Sequence, residues 1–379
     1  MEKKDIRKNA YALIYLTSCG VNGKTPDMKK LDGYDLGQIY EVSQKHILTA
    51  IAAYALESAG VRDERFEQAK GKAIRKNILL DSDRKKLLDR LEQEKIWYMP
   101  LKGSLLKELY PKTGMRQMAD NDILFDSAYR KRVREIMLEA GFSCEHYNRG
   151  NHDVYFRKPV CNFEMHVSLF NENREIFGDY YKNIKNNLQK DENNLYGYHF
   201  SHEDFYIYMI SHEYKHYSNG GTGLRSLLDT YVFLNAFGQA LDFNYINIET
   251  QKLGISEFEL LNRKLADKVF RLKELTEEDK INLDYYIFSG TYGCLENTIK
   301  NTLNKINDKT GKRTKLAYIR SRVFPDLSNM TISCPFVKNN PLLYPAGFVV
   351  RLVRCVTVSR KMVRKEYNIL KNININDEN

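Results

Sequence analysis

Between residues 96 and 170 the apolar pattern shortens from helical spacing to strand-length runs, and helical spacing returns after about residue 202. A chain built this way needs one small sheet and helices to cover it, which makes it α+β. Upstream, Leu36, Ile39, Tyr40, Ile47, Ile51, Tyr54 and Ala55 recur at helical intervals and Gly60 is placed to stop that helix. Two further charged, periodic segments occupy 63–79 and 82–94. Ile96-Trp97-Tyr98-Met99 then reads as a buried strand. Helices at 103–110 and 129–140, the latter ended by Gly141, alternate with strands at 122–125, 142–146, 153–157 and 160–169. Beyond 202, Phe205, Tyr208, Met209 and His212 share one helix face, and Leu224, Leu227, Leu228, Tyr231 and Leu234 another. The expected organisation is an N-terminal helical region at 1–95, a small α/β core at 96–200 and a C-terminal helical region at 201–379.

The chain's 379 residues allow a large core. Its 59 Lys and Arg against 49 Asp and Glu leave a net charge of +10, which favours an anionic partner without choosing a nucleotide, a nucleic acid or a membrane surface. Cys19, Cys144, Cys161, Cys294, Cys334 and Cys355 are scattered without a CxxC pair, so reduced thiols are expected rather than a disulfide framework or a cysteine zinc site. No apolar run approaches the roughly eighteen residues of a membrane span, and the N-terminus lacks a signal-peptide core. The expected location is the cytoplasm.

The α/β segment carries Lys102-Gly103-Ser104, Tyr110, Arg116 and Asp120-Asn121-Asp122. On one strand, Asp120 and Asp122 would share a face about 6.6 Å apart along the chain. That spacing suits the clamping of divalent cations, and a two-ion site about 3.5–4 Å across is what phosphoryl or nucleotidyl transfer uses. Oxygen ligands of this kind point to Mg²⁺ or Mn²⁺. Lys102-Gly103-Ser104 falls where a strand passes into a helix, a place where free N–H groups suit a triphosphate and Gly103 permits close approach. A third acid is expected on a neighbouring strand, and Glu164 would share a face there with Asn162 and His166.

At these positions the sequence resembles a nucleotidyltransferase family within the polymerase-β-like superfamily. Its pattern of Lys-Gly, Tyr, Arg, Asp-x-Asp and then an acid two residues before a His falls on Lys102, Gly103, Tyr110, Arg116, Asp120, Asp122, Glu164 and His166. His212, His216, Leu224, Arg225 and Asp229 match its helical positions. Phe324-Pro325, Pro341 to Pro345 and Arg351 resemble its C-terminal signature. The resemblance implies catalytic and metal-binding roles for Asp120, Asp122 and Glu164, with an NTP, ATP foremost, as substrate and an unidentified small molecule, protein or RNA as acceptor. Around the nucleotide it implies Lys102, Gly103, Ser104, Arg116, His166, His212, His216 and Arg225. Two departures stand out: a long linker of fifteen residues between Ser104 and Asp120, and Asn121 at a position that is usually apolar.

His212-Glu213-Tyr214-Lys215-His216 also spells the His-Glu-x-x-His of zinc hydrolases. Lys215 beside the metal, and Asn219 and Thr222 where the longer pattern needs Gly and His, argue against that reading. A non-catalytic nucleotide-binding protein of the same fold is the other alternative, against which the complete acid set argues. Residues 347–370 interleave Phe348, Val349, Leu352, Val353, Val356, Met362 and Val363 with Arg351, Arg354, Arg360, Lys361, Arg364 and Lys365. This predicts one basic amphipathic helix, docked on its own protein with a solvated basic face in preference to lying on an anionic surface or RNA.

Overall fold

The computed structural model describes residues 2–148, 150–171, 175–310, 314–334 and 336–373. Most of the low-complexity, Asn-rich tail after Lys371 lies outside the described residues. The chain forms two compact units, one of residues 1–214 and 223–291 and the other of 215–222 and 292–379.

The first unit begins with α1 (Lys3–Val21), α2 (Leu36–His46), α3 (Thr49–Ser58) and α4 (Glu64–Gln93). The single helix expected across 36–55 is two, because Ile47 takes a left-handed conformation at φ 54°. Such a conformation costs a β-branched residue roughly 1–2 kcal/mol. What offsets that cost is burial on both sides of the corner, where Val42, Leu48 and Ile51 are all at most 2% exposed. Leu48 N–H closes the turn by donating to the Ser43 carbonyl at 2.9 Å. Conversely, the two segments expected at 63–79 and 82–94 form one continuous helix of 30 residues, capped by Asp63. At the expected break, Leu80 is fully buried and Asp81 pairs with Arg84 at 2.8 Å and Lys107 at 2.6 Å.

His46, at the end of α2, is fully buried, and its Nδ1 accepts a hydrogen bond from Leu224 N–H at 3.1 Å. Burial pushes its pKa down to about 4. The unfolded chain takes up this proton near pH 6.5 and the folded chain does not, so the stability contribution is complete above pH 6.5 and lost as pH falls toward 4. The loss should reach about 3 kcal/mol. Urea titrations at pH 7, 5.5 and 4 should show a shallower acid loss in His46→Asn, whose amide oxygen can still accept from Leu224. Parallel losses in both proteins would clear His46 of the effect.

The remaining α-helices and strands of the unit are β1 (Tyr98–Pro100), α5 (Lys102–Leu106), β2 (Asn121–Phe125), α6 (Arg130–Glu139), β3 (Ser143–His146), β4 (His152–Arg157), β5 (Cys161–His166), α7 (Glu175–Tyr180), the short paired strands β6 (Gln189–Lys190) and β7 (Tyr198–His199), α8 (His202–Tyr217), α9 (Leu224–Phe237), α10 (Phe243–Lys252), α11 (Ser256–Phe270) and α12 (Glu277–Ser289). Among the described residues one mixed sheet of five strands runs β1-β2-β5-β4-β3, with β2 and β5 parallel and the other pairs antiparallel. Alternation gives the sheet two distinct faces. One carries Ile123, Phe125, Tyr155, Phe163 and Met165, buried with Val133, Ile136 and Met137 of α6 and Leu87 and Leu91 of α4. The other carries Asp122, Leu124, Glu164 and His166, and Leu124 packs in the cluster that contains Phe205 to Ile210 of α8.

The second unit holds α13 (Leu295–Thr310), α14 (Lys315–Val323), α15 (Leu327–Ser333), α16 (Phe336–Asn339), α17 (Tyr344–Thr357) and α18 (Arg360–Asn372). The one amphipathic helix expected over 347–370 is the bent pair α17 and α18, which turn through 86°. Arg354, Arg360, Lys361, Arg364 and Lys365 are exposed, but the apolar stripe of α17 is not docked as expected. Val349, Leu352, Val353 and Val356, spaced i, i+3, i+4 and i+7, are 44–70% exposed. Arg351 instead turns inward to donate to Ser333 Oγ at 2.7 Å and the Arg322 carbonyl at 3.0 Å, and Arg354 reaches the Ser333 carbonyl at 2.9 Å. The Arg354 bond meets a carbonyl at the end of α15 and the Arg322 bond one at the end of α14, positions where cations are favoured. Gly347 is required by close packing, since a Cβ there would meet Val337 at 2.9 Å and Met330 at 3.1 Å. Among the described residues no single helix is long and apolar enough to cross a membrane.

Candidate active site

The parallel pairing of β2 with β5 sets Asp122 directly opposite Glu164 and Leu124 opposite His166. Side chains at i and i+2 share a strand face, so Asp122, Glu164 and His166 converge on one side. His166 Nε2 lies 3.0 Å from Asp122 Oδ1 and 3.6 Å from Glu164 Oε2. Asp120 stands immediately before β2, half-buried. Burial, with Asp122 and then Glu164 close by, pushes its carboxyl up to about 7, against the opposing charges of Arg225 and Lys76. Burial raises Asp122 as well, yet the hydrogen bond and charge of His166, with the charge of His152, outweigh it and hold Asp122 below the usual carboxylate range. Two acids two residues apart are thus driven in opposite directions.

Asn121 departs from the apolar pattern without leaving a polar group unsatisfied. It is fully buried, donates to the Leu80 carbonyl at 2.9 Å and accepts from Arg84 at 3.0 Å. The amide therefore ties the start of β2 to α4, where an apolar side chain would only pack.

Lys102-Gly103-Ser104 opens α5, and Leu101 N–H donates to the Asp122 carbonyl at 2.9 Å, which holds this turn against β2. Ser104 is buried and its hydroxyl donates to the Leu101 carbonyl at 2.9 Å. Burial pushes the Lys102 ammonium below its ordinary range, only partly opposed by Asp229 and Glu213, with Arg116 and Arg225 adding to the lowering. A Cβ on Gly103 would meet Met118 Cε at 2.9 Å and Arg116 Nη1 at 3.3 Å. Enlarging Gly103 would therefore disturb Arg116 as well as the turn.

Arg116 is committed elsewhere. Its guanidinium binds Asp229 of α9 through both oxygens, at 2.8 and 2.9 Å, and Tyr110 donates to the same carboxylate at 2.8 Å. All three residues are at most 6% exposed. The Tyr, Arg and Asp of the sequence pattern are one buried network that joins the linker after α5 to α9. Arg225 opens α9, donates to the Gln117 carbonyl at 3.3 Å and bears on Asp120.

The His-Glu-x-x-His segment does not assemble a metal-ligand group. Glu213 is fully buried, accepting from Thr230 at 3.2 Å and Tyr286 at 3.3 Å, whereas a hydrolytic base must face the metal-bound water. His212 is half-buried beside Tyr208, and His216 is exposed and falls in the second unit. Among the described residues, the side chains that do gather with metal-ligand spacing are His152, Glu164 and His166, within 4.8 Å of one another.

Sequence reasoning missed three neighbours of the acids. His152 pairs with His166 across β4 and β5, and its Nε2 is 3.7 Å from Glu164 Oε2. Tyr208 of α8 feels the charges of Asp122 and Glu164, which add to burial in raising its phenol. Lys76 of α4 acts on Asp120. Of these, His152 alone had a local signal, as the polar residue at the start of a strand. Asp153 of β4, the other acid on a strand next to β5, faces away from the site and is bound by Arg130 at 2.6 and 2.9 Å.

A family model described as an uncharacterised nucleotidyltransferase matches residues 32–271. The chain belongs to this nucleotidyltransferase family. The match takes in β1 to β5, α8 and α9, and with them every candidate nucleotidyltransferase residue. The C-terminal positions of the sequence pattern, from Phe324 onward, lie beyond it. Among solved structures, an antigenic nucleotidyltransferase-like protein from Paracoccidioides brasiliensis is similar at 14% identity and a TM-score of 0.35, covering 54% of this chain and 95% of that one. No curated protein matches.

Proposed function

We propose that this chain transfers a nucleotidyl group from an NTP, with ATP the first to test, to an acceptor nucleophile with the help of divalent cations. The reading is carried by the register of β2 on β5, which sets Asp122 beside Glu164 with Asp120 two residues upstream of Asp122. The donors fit such ions. Burial, with the charges of Asp122 and Glu164 added to it, pushes Asp120 up to about 7, and a divalent cation relieves the repulsion among the three carboxylates. Asp120, Asp122 and Glu164 would hold it, and bound there it would neutralise phosphate charge and polarise the reacting phosphoryl group.

The chain's own residues supply the rest. Arg225 and Lys76 bring positive charge to the surroundings of Asp120, a setting that favours a polyphosphate. Glu164, one strand away from the Asp pair, is positioned to accept the acceptor's proton.

The test is to incubate the full chain with each NTP, Mg²⁺ or Mn²⁺ and a cell lysate, following pyrophosphate release and the mass added to any acceptor. Pyrophosphate should form from one NTP in preference to the others. Glu164→Gln should bind that NTP within about threefold of wild type yet turn over about 10²–10⁴ times more slowly. Nucleotide binding without pyrophosphate under every condition would point instead to a binding protein of this fold.

A further inference from the structure

Asn151 Nδ2 donates to the Ser168 carbonyl at 3.0 Å, which orients the amide so that its oxygen faces the His152 ring. That oxygen lies 3.3 Å from His152 Nδ1. An amide oxygen only accepts, so Nδ1 donates to it and Nε2 is presented on the other side of the ring. It points toward Glu164 Oε2, 3.7 Å away. The second imidazole likewise presents its Nε2, with His166 Nε2 at 3.0 Å from Asp122 Oδ1 and 3.6 Å from Glu164 Oε2. The ligand atoms of His152, Glu164 and His166 thus lie within 4.8 Å of one another, with Asp122 Oδ1 against His166 Nε2, and one proton on His166 Nε2 cannot serve both acids.

The separations match those of co-ligands. Donors held about 2.1 Å from a single ion stand roughly 3.0 Å apart along an octahedral edge and roughly 3.4 Å apart along a tetrahedral one. The outer contact from Asn151 to His152 is also of the kind that fixes a ligating imidazole. Imidazole donors favour first-row transition ions, whereas Mg²⁺ prefers oxygen and water.

We propose that Asp122, Glu164, His152 and His166 form one cation position of mixed nitrogen and oxygen donors that selects a first-row transition ion over Mg²⁺. This rests on the reading above that the acids bind a cation, and it adds the two imidazoles and the selectivity they impose. The ion takes the place of the shared proton on His166 Nε2 and lies against both carboxylates, which leaves Asp120 toward the nucleotide.

The full chain, stripped of metal and titrated with Mn²⁺ in the absence of nucleotide, provides a direct readout. Pulsed EPR should show nitrogen couplings from two imidazoles, one lost in His152→Ala and the other in His166→Ala. His152→Ala should weaken Mn²⁺ binding by about 10–100-fold and Mg²⁺ binding by less than about threefold. Zn²⁺ should displace Mn²⁺ at far lower concentration than Mg²⁺ does. His152 is one-third exposed, so its loss should spare the fold, and His152→Gln checks that with a side chain closer in size. Absence of nitrogen coupling, or equal weakening of Mn²⁺ and Mg²⁺, overturns the proposal. Transfer activity with Mg²⁺ and no nitrogen coupling would leave the nucleotidyltransferase reading standing alone, and nitrogen-bound Mn²⁺ without NTP turnover would do the reverse.

Discussion

Asp122→Asn is expected to lower nucleotidyl transfer by at least about 10³-fold with the fold intact. Asn preserves the shape of the side chain and can still meet His166, which now lies 3.0 Å from the carboxylate, but it removes the charge that a cation needs. Asp120→Asn should be equally inactive and, unlike Asp122→Asn, more stable than wild type without metal. The Asp120 carboxyl is pushed up to about 7, so the folded chain keeps a proton that the unfolded chain has lost above about pH 4. Stability therefore falls as pH rises from about 4 to about 7, and Asn escapes that loss. In EDTA the variant should melt a few degrees above wild type at pH 8, with the difference closing toward pH 4. Retained activity in Asp122→Asn would remove the acid pair from the chemistry. An unchanged pH dependence in Asp120→Asn would show that its carboxyl is not crowded as described.

Asp229→Ala is expected to be the most damaging single substitution for stability, by about 3–5 kcal/mol. The carboxylate holds both arms of Arg116 and the Tyr110 hydroxyl out of water. Removing it leaves a buried guanidinium with the charges of Lys102 and Arg225 nearby, both of which act on this carboxylate. An uncompensated buried charge is worse than a missing pair. Tyr110→Phe should cost only about 1.5–3 kcal/mol, since it deletes one hydrogen bond to a charged group. Denaturant titration of both variants gives the comparison, and Asp229→Ala falling by less than Tyr110→Phe would contradict the ordering. Because the network underlies the turn at Lys102-Gly103, loss of transfer in Asp229→Ala should track loss of folded protein.

The interior of each element was legible because its causes are local. Alternation at Asp122-Ile123-Leu124 and Asn162-Phe163-Glu164 is a property of the strand itself, so the acids' shared faces could be read without knowing which strands touch. The helix boundaries were less legible. Ile47 adopts a left-handed conformation that its own β-branched side chain disfavours, and the burial that offsets the cost comes from residues on both sides of the turn.

By itself the sequence determined the α+β class, the faces of β2 and β5 that carry Asp122, Glu164 and His166, and the nucleotidyltransferase pattern in which they stand. Each follows from short-range periodicity or from residues a few positions apart. Only the tertiary structure decided that β5 runs parallel to β2 with Glu164 opposite Asp122, that β4 brings His152 to His166, and that Arg116 is bound to Asp229 rather than left to meet a phosphate. It also decided that Arg351 and Arg354 of α17 bond Ser333 while the apolar stripe of that helix is left exposed. The physical reason is common to all of these. A charged or hydrogen-bonding side chain has many acceptable partners along a chain, and which one it meets depends on strand register and helix packing between segments far apart in sequence, which local periodicity does not encode.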